Sequence, residues 1–240
     1  MVSGIERIRF ISLLLFLILS MLLLTGRLIY IVLADASRFP INTVKISASY
    51  QHISRHQLET ILYPHLLKGF FGLSVQALEQ DLKKFPWTHL VHVKRLWPDA
   101  LNITLVEKIP IAWWNDALIT AEGETFSSKN QQNEVDDLPQ LSGPASHAKD
   151  VLQIYKKLSN LLVMCGLGAS AVHLRDNQSW ELVLNNGILL QLGKKDLELR
   201  LNRFCRAYPA VFADRLEQLS HVDLRYARGM AVQWKQPMGR

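Results

Sequence analysis

The run FISLLLFLILSMLLLTG, Phe10 to Gly26, carries no charge and is dominated by Leu, Ile and Phe. At a helical rise of about 1.5 Å per residue it spans roughly 25 Å, close to the hydrocarbon core of a bilayer. Arg27 interrupts it and can snorkel to the headgroups, and Leu28 to Ala34 is apolar again. Arg7 and Arg9 precede the run, so the positive-inside rule places residues 1–9 in the cytoplasm and everything after about Asp35 outside it. The expected layout is a short tail, a transmembrane helix over residues 10–34, and an exported part of about 200 residues. A cleaved signal peptide is the rival reading, because Ala34-Asp35-Ala36 is a small-x-small triplet. Against it, the apolar stretch exceeds an h-region, and Arg27 lies between the run and the triplet.

Working outward, composition restricts what the exported part can bind. Setting aside Arg7, Arg9, Arg27 and Glu6, the formal charge falls from +6 to about +4. The basic doublets at Lys83-Lys84, Lys94-Arg95, Lys156-Lys157 and Lys194-Lys195 are scattered, so no nucleic-acid surface is expected. Cys165 and Cys205 could pair in an oxidising compartment or remain buried free thiols, and the spacing leaves both open.

Residues 41–108 read as one unit. Val44 and Ile46 alternate with polar residues in a short strand. Ser54-Arg55-His56-Gln57 matches a capping box, and Leu58, Ile61 and Leu62 follow on one helical face until Pro64 ends it. Gly69 and Gly72 mark a loop, and Ser74 caps a helix carrying Val75, Leu78, Leu82 and Phe85. Leu90 to Leu96 and Leu101 to Leu105 form two strands around a Trp97-Pro98-Asp99 turn, with the Trp97 ring covering the sheet edge. The order is β-α-α-β-β, two helices on one face of a three-stranded sheet.

Residues 109–237 read as a second, mixed α/β unit with a C-terminal antiparallel sheet, making the whole chain α+β. It opens with Ile111-Ala112-Trp113-Trp114, and Ser127 to Asp137 is expected as an exposed loop. Helical spacing of Val151, Ile154, Tyr155, Leu158, Leu161, Leu162 and Cys165 predicts a helix capped at Gly166. Trp180, Leu182, Leu184 and Ile188, Leu190, Leu192 alternate around Asn186-Gly187, the strongest hairpin signal in the chain. This alternation places Trp180 in the core. A helix over Asp196–Tyr208 precedes a last hairpin, Val222–Tyr226 and Met230–Trp234, joined by Ala227-Arg228-Gly229.

Several of these residues carry a family resemblance. Pro86-Trp87, Val91-x-Val93-x-Arg95-x-Trp97-Pro98 and Leu105-x-Glu107-Lys108-x-Pro110-Ile111-Ala112 resemble the POTRA domain of the FtsQ family. Val222 through Trp234 is similar to that family's Val-Asp-Leu-Arg-Tyr-x-x-Gly-x-Ala-Val-x-Trp, with support from Ser179-Trp180, Leu184-Asn185-Asn186, Leu192-Gly193 and Arg203-Phe204. The tail of about nine residues is shorter than is usual in the family. The resemblance implies a bitopic divisome protein of the bacterial inner membrane, without catalysis or cofactor, with a POTRA unit and a β domain outside the cytoplasm at the septum. It also implies FtsB-type and FtsL-type bitopic partners at the β domain and other division proteins at the POTRA unit, linking early assembly to septal wall synthesis.

The residues themselves point to one docking site. If the last strand is a sheet edge, Gly229 to Trp234 presents unpaired backbone groups to which a partner segment can add a strand. Arg225, on the face opposite Leu224 and Tyr226, would be free to pair with a carboxylate. Tyr226 and Trp234 would serve as aromatic anchors, with Gly229 and Val232 along the edge. The competing reading is that Tyr226 and Trp234 close the core.

Nothing in the sequence assembles catalytic or metal-binding chemistry. His89 and His92 lie three apart on a strand and face opposite ways, and His52 precedes the cap of the helix that carries His56. Asp136-Asp137 and Glu122/Glu124 are acidic pairs in loops, and no nucleophile-elbow, zincin or phosphate-loop motif occurs. The alternatives to a scaffold are a membrane-anchored POTRA-type envelope factor or an envelope enzyme. A translocation barrel would need many more amphipathic strands than remain here.

Overall fold

The computed structural model describes residues 2–33, 35–127, 137–212, 215 and 218–235. The chain is α+β and divides into two compact units, Met1–Lys108 and Ile109–Arg240. Most of the polar stretch expected as a loop after Ser127 lies outside the described residues.

The first unit begins with helix α1, Val2–Leu33. Its segment Arg9–Leu33 is long and apolar enough to cross a membrane, and none of it is buried against the rest of the protein. Then come β1 (Thr43–Ser47), α2 (Arg55–Leu66), α3 (Gly69–Gly72), α4 (Val75–Leu82), β2 (Thr88–Leu96) and β3 (Ala100–Glu107). The strands lie in the order β1-β3-β2, with β1 parallel and β2 antiparallel to β3.

The Ser54 capping box forms as its sequence dictates: the hydroxyl accepts from the Gln57 N–H, and the Gln57 side chain accepts from the Ser54 N–H. Leu58 and Leu62 of α2, Leu78 and Leu82 of α4, and Val91, Val93, Leu101, Ile103 and Leu105 of the sheet are buried together.

Three expectations for this unit need correction. Pro64 does not end α2 but sits inside it; the missing N–H falls in the last turn, and Leu67 N–H still reaches the Tyr63 carbonyl. Gly69 to Gly72 is a helical turn rather than a loop. Trp97 does not cover the sheet edge, for it is 74% exposed.

The second unit contains β4 (Pro110–Trp114), β5 (Ala117–Thr120), β6 (Thr125–Phe126), β7 (Gln140–Ser142), α5 (Ala148–Val163) and β8 (Ala169–Leu174). It continues with β9 (Trp180–Leu184), β10 (Leu189–Gly193), α6 (Leu197–Ala207), β11 (Leu219–Asp223) and β12 (Ala231–Trp234). All its strands join one mixed sheet in the order β12-β11-β10-β9-β8-β7-β4-β5-β6. The β9–β10 hairpin turns at Asn186-Gly187, where Gly187 has φ +82° and donates to the Leu184 carbonyl. The last pair, β11–β12, is antiparallel, whereas β11 joins β10 in parallel.

Register explains the layering. Val172, Leu182, Leu190, Val222 and Val232 stand side by side across β8 to β12, and the first four are fully buried on the face that packs against α5 and α6. Helix α6 supplies Leu201 and Phe204 to that core, and Phe212 joins them. Cys165, just beyond α5, and Cys205 on α6 are joined as a disulfide with a Cα–Cα distance of 5.8 Å. That separation lies in the usual range for such bridges.

Trp180 departs from its expected place. Leu182 and Leu184 are buried, but Trp180 at the start of β9 is only partly covered, because the register shifts between Gln191 and Gly193 beside it. Leu182→Ala is therefore expected to cost about 2–5 kcal/mol, and Trp180→Ala less than the 3–5 kcal/mol usual for a fully buried aromatic. Urea unfolding of the two variants measures the difference directly.

Candidate functional site

The polar face of the second sheet is built by the neighbouring register row. Ser142, His173, Glu181, Gln191, Asp223 and Ala231 follow one another across β7 to β12, opposite to the buried row. Ser142 Oγ lies 2.6 Å from His173 Nδ1, and burial pushes the His173 pKa down. Glu181, nearly buried, accepts from Arg175 at 2.9 and 2.6 Å. Asp223 accepts from Arg225 in the same way, from Nε at 2.9 Å and from one terminal nitrogen at 2.7 Å. That hydrogen bond holds the Asp223 carboxyl below the usual carboxylate range, and Asp223 raises the Arg225 pKa in return. Arg175, Glu181, Gln191 and Arg225 line one open pocket on this face.

Arg225 is therefore not free, as the sequence suggested, but already engaged by the carboxylate two residues before it. The alternation that was to carry Tyr226 beside Leu224 also stops early. Leu224 is buried, its N–H donating to the Gln191 carbonyl, but β11 ends at Asp223 and the chain turns outward. Tyr226 is 57% exposed. Trp234 is 41% exposed, one side resting on Phe212 with ring centroids 6.3 Å apart. Neither aromatic closes the core.

Strand β12 forms one edge of the sheet, and among the described residues no strand lies beyond it. Its Val232 faces the core side and is half-buried, while Ala231, Gln233 and Trp234 are exposed. Tyr226, Ala227, Arg228, Gly229, Met230 and Ala231 line an open depression where the connecting loop meets this edge. A Cβ at Gly229 would meet nothing within 4 Å, and its φ is not positive, so folding does not require glycine there.

One residue that the sequence reading used only as part of the resemblance organises this loop. Arg203 of α6 donates to the carbonyls of Leu224, Tyr226 and Ala227 at 2.7 to 2.8 Å. Helical periodicity marks Leu201 and Phe204 as core positions but relates nothing on α6 to residues 224–227. The link exists only in three dimensions. Hydrogen bonds from a charged donor are worth about 1.5–3 kcal/mol each when made in partial burial. Only the bond to Leu224 is part-buried, so Arg203→Ala is expected to destabilise the unit by about 1.5–3 kcal/mol and to raise hydrogen exchange of amides 225–231 roughly tenfold. Lysine should not rescue it, because a point ammonium cannot span three carbonyls as the guanidinium fork does.

The histidines weighed for metal binding sit in separate surroundings, and Asp136 of the acidic pair Asp136-Asp137 lies outside the described residues. His52 stacks on Trp87 at 3.6 Å and contacts buried Glu107 at 3.1 Å, where the carboxylate also accepts from the Gln51 and His52 N–H groups. His56, His89 and His92 are exposed. Among the described residues there is no group of three or more side chains able to hold a metal ion.

A helix able to span a membrane, a β-α-α-β-β unit with its helices stacked on a small sheet, and a second unit with an open terminal strand define a membrane-associated POTRA protein. Residues 39–108 match the FtsQ-type POTRA domain, and residues 112–225 match the C-terminal domain of the cell division protein FtsQ/DivIB. The chain is 37% identical over 209 residues to the cell division protein FtsQ of Coxiella burnetii, covering 85% of this chain and 84% of that protein. It is 34% identical over 224 residues to FtsQ of Escherichia coli, with 90% and 81% covered. With FtsQ of Shewanella oneidensis it shares 33% identity over 210 residues, with 87% and 79% covered. This chain belongs to the FtsQ family of cell-division proteins.

Proposed function

We propose that this protein is a non-catalytic divisome scaffold of the bacterial inner membrane. Residues 1–9 form a cytoplasmic tail, 10–34 the transmembrane helix, 41–108 the POTRA domain and 109–237 the β domain, with both domains periplasmic and gathered at the septum. The β domain receives FtsB-type and FtsL-type bitopic proteins, and the POTRA domain receives other division proteins. The scaffold thereby connects early divisome assembly to septal peptidoglycan synthesis.

The observation that carries this reading is the unpaired edge of β12, flanked by the exposed Tyr226 and Trp234. An extended segment laid along β12 gains main-chain hydrogen bonds for affinity, while the aromatics and the 226–231 depression supply choice. Gly229 supports the same reading, since its lack of a side chain clears a path for an approaching backbone. On the POTRA side, exposed Leu90 and Val106 face each other in register on the open side of the sheet, an apolar pair suited to protein contact.

Two measurements test the proposal. A reporter fused after Arg240 is expected to be active only outside the cytoplasm, with Met1 or Val2 retained in the mature protein. An N-terminus at Asp35 or Ser37 would instead mean a cleaved leader. Affinity purification of the intact protein from solubilised membranes is expected to bring down single-span coiled-coil division proteins. Recovery of the protein without them would count against the scaffold reading.

A further inference from the structure

We propose that the POTRA unit rests on the bilayer surface through an aromatic patch centred on Trp97. The inference depends on α1 spanning the membrane. Trp97, in the β2–β3 turn, is 74% exposed and packs edge-on against Phe70 and Phe71, with ring centroids 5.4 and 5.6 Å away. Phe71 in turn meets Phe39 edge-on at 5.1 Å. Two exposed residues of chemistry suited to a membrane surface, Leu67 and Lys68, directly precede Gly69.

The patch is tied to the membrane end of the chain. Phe70 N–H donates to the Phe39 carbonyl at 2.8 Å. Gly69 lies so close to residues 36–39 that a Cβ there would stand 2.7 Å from Ala36 Cα, a contact no other residue could make. Phe39 follows the end of α1 by only six residues, a reach of at most about 20 Å when fully extended. The actual path is shorter, because Arg38 and Phe39 N–H both fold back onto the Asp35 carbonyl in a turn. Apolar character runs unbroken from Leu28 to Leu33, so the bilayer surface is met near Leu33, with Arg27 reaching the headgroups along its own side chain.

A tryptophan held at that height has the amphipathic ring that partitions to the headgroup–acyl boundary. Exposed Arg38 and Lys68, next in sequence to Phe39 and Gly69, can meet lipid phosphates, Arg38 while also pairing with Asp35 at 3.4 Å. The occupant that chain geometry brings to this patch is the phospholipid surface of the membrane that α1 crosses. Docking there limits the swing of the POTRA unit relative to the bilayer.

Trp97→Phe isolates the signal, because an exposed ring contributes little to the fold. The full-length protein is reconstituted in phosphatidylcholine–phosphatidylglycerol nanodiscs, and the Trp97 emission is taken as wild type minus variant. Phosphatidylcholine brominated near the top of its acyl chains is expected to quench that difference emission by about half, while aqueous iodide leaves it nearly unchanged. Emission reached by iodide and indifferent to bromine would overturn the proposal. So would emission indifferent to both, which would mean that protein covers the ring. Alkaline extraction of native membranes keeps the two premises separate. A chain retained by the membrane with Trp97 unquenched rejects the patch alone, whereas a released chain rejects the span and the patch together.

Discussion

If the β domain receives an FtsB-type partner as proposed, Tyr226→Ala is expected to weaken binding of that partner's exported segment by about 30-fold or more, equivalent to roughly 2 kcal/mol, the scale of an interface anchor. The melting temperature should remain within about a degree of wild type, since an exposed side chain outside the ladder adds little to folding. Loss of stability in parallel with binding would restore the view that the ring closes the core. Unchanged binding in both Tyr226→Ala and Trp234→Ala would remove the β12 edge as the docking site. Arg225 calls for a different design. Arg225→Glu would set a second carboxylate beside Asp223, whose pKa is already lowered by the guanidinium, and would mix folding with binding. The informative comparison is Arg225→Met alone and with Asp223→Asn. If a partner carboxylate competes for Arg225, the single change costs affinity and the second partly offsets it, because the Asp223 carboxylate left without its guanidinium no longer repels the partner's carboxylate.

The second large effect concerns the Cys165–Cys205 bridge. It closes a loop of 40 residues and ties the end of α5 to α6. Chain-entropy arguments assign such a loop about 4 kcal/mol, and measured bridges usually give about 2–4 kcal/mol. Replacing both cysteines by serine, or adding reductant, is expected to lower the urea midpoint of the second unit accordingly, and the serine variant should no longer respond to reductant. A wild-type midpoint indifferent to reductant would mean that the thiols are not bonded in the folded protein. Because α6 also carries Arg203, the same reduction should increase exchange at residues 225–231 without any change at the loop itself.

Much of the fold was legible because its determinants are local. An uncharged run of helical length, a capping box at Ser54, alternation in Leu101-Ile103-Leu105 and Asn-Gly between two alternating segments each act within a few residues, and periodicity reads them directly. The short strands β7 and β8 escaped, since neither Gln140–Ser142 nor Ala169–Leu174 carries a turn signal or clean alternation, and both are strands only because neighbours distant in sequence pair with them. Strand β12 was legible as a strand and as a member of a hairpin. That it stands at an edge is a property of the whole sheet order.

By itself the sequence determined the candidate span, the β-α-α-β-β order of the first unit, the helices and hairpins of the second, and which aromatic residues cluster in the last segment. Tertiary structure alone decided that β11 lies parallel to β10, that Trp180 packs at the margin of the core rather than inside it, that Arg225 is held by Asp223, that the two cysteines meet, and that Arg203 grips the loop before β12. The division has a physical cause. Helix and hairpin signals arise from chain neighbours whose geometry a few dihedral angles fix. Burial, edge position and side-chain partnership depend instead on which distant segment the sheet sets alongside, and no local spacing encodes that choice.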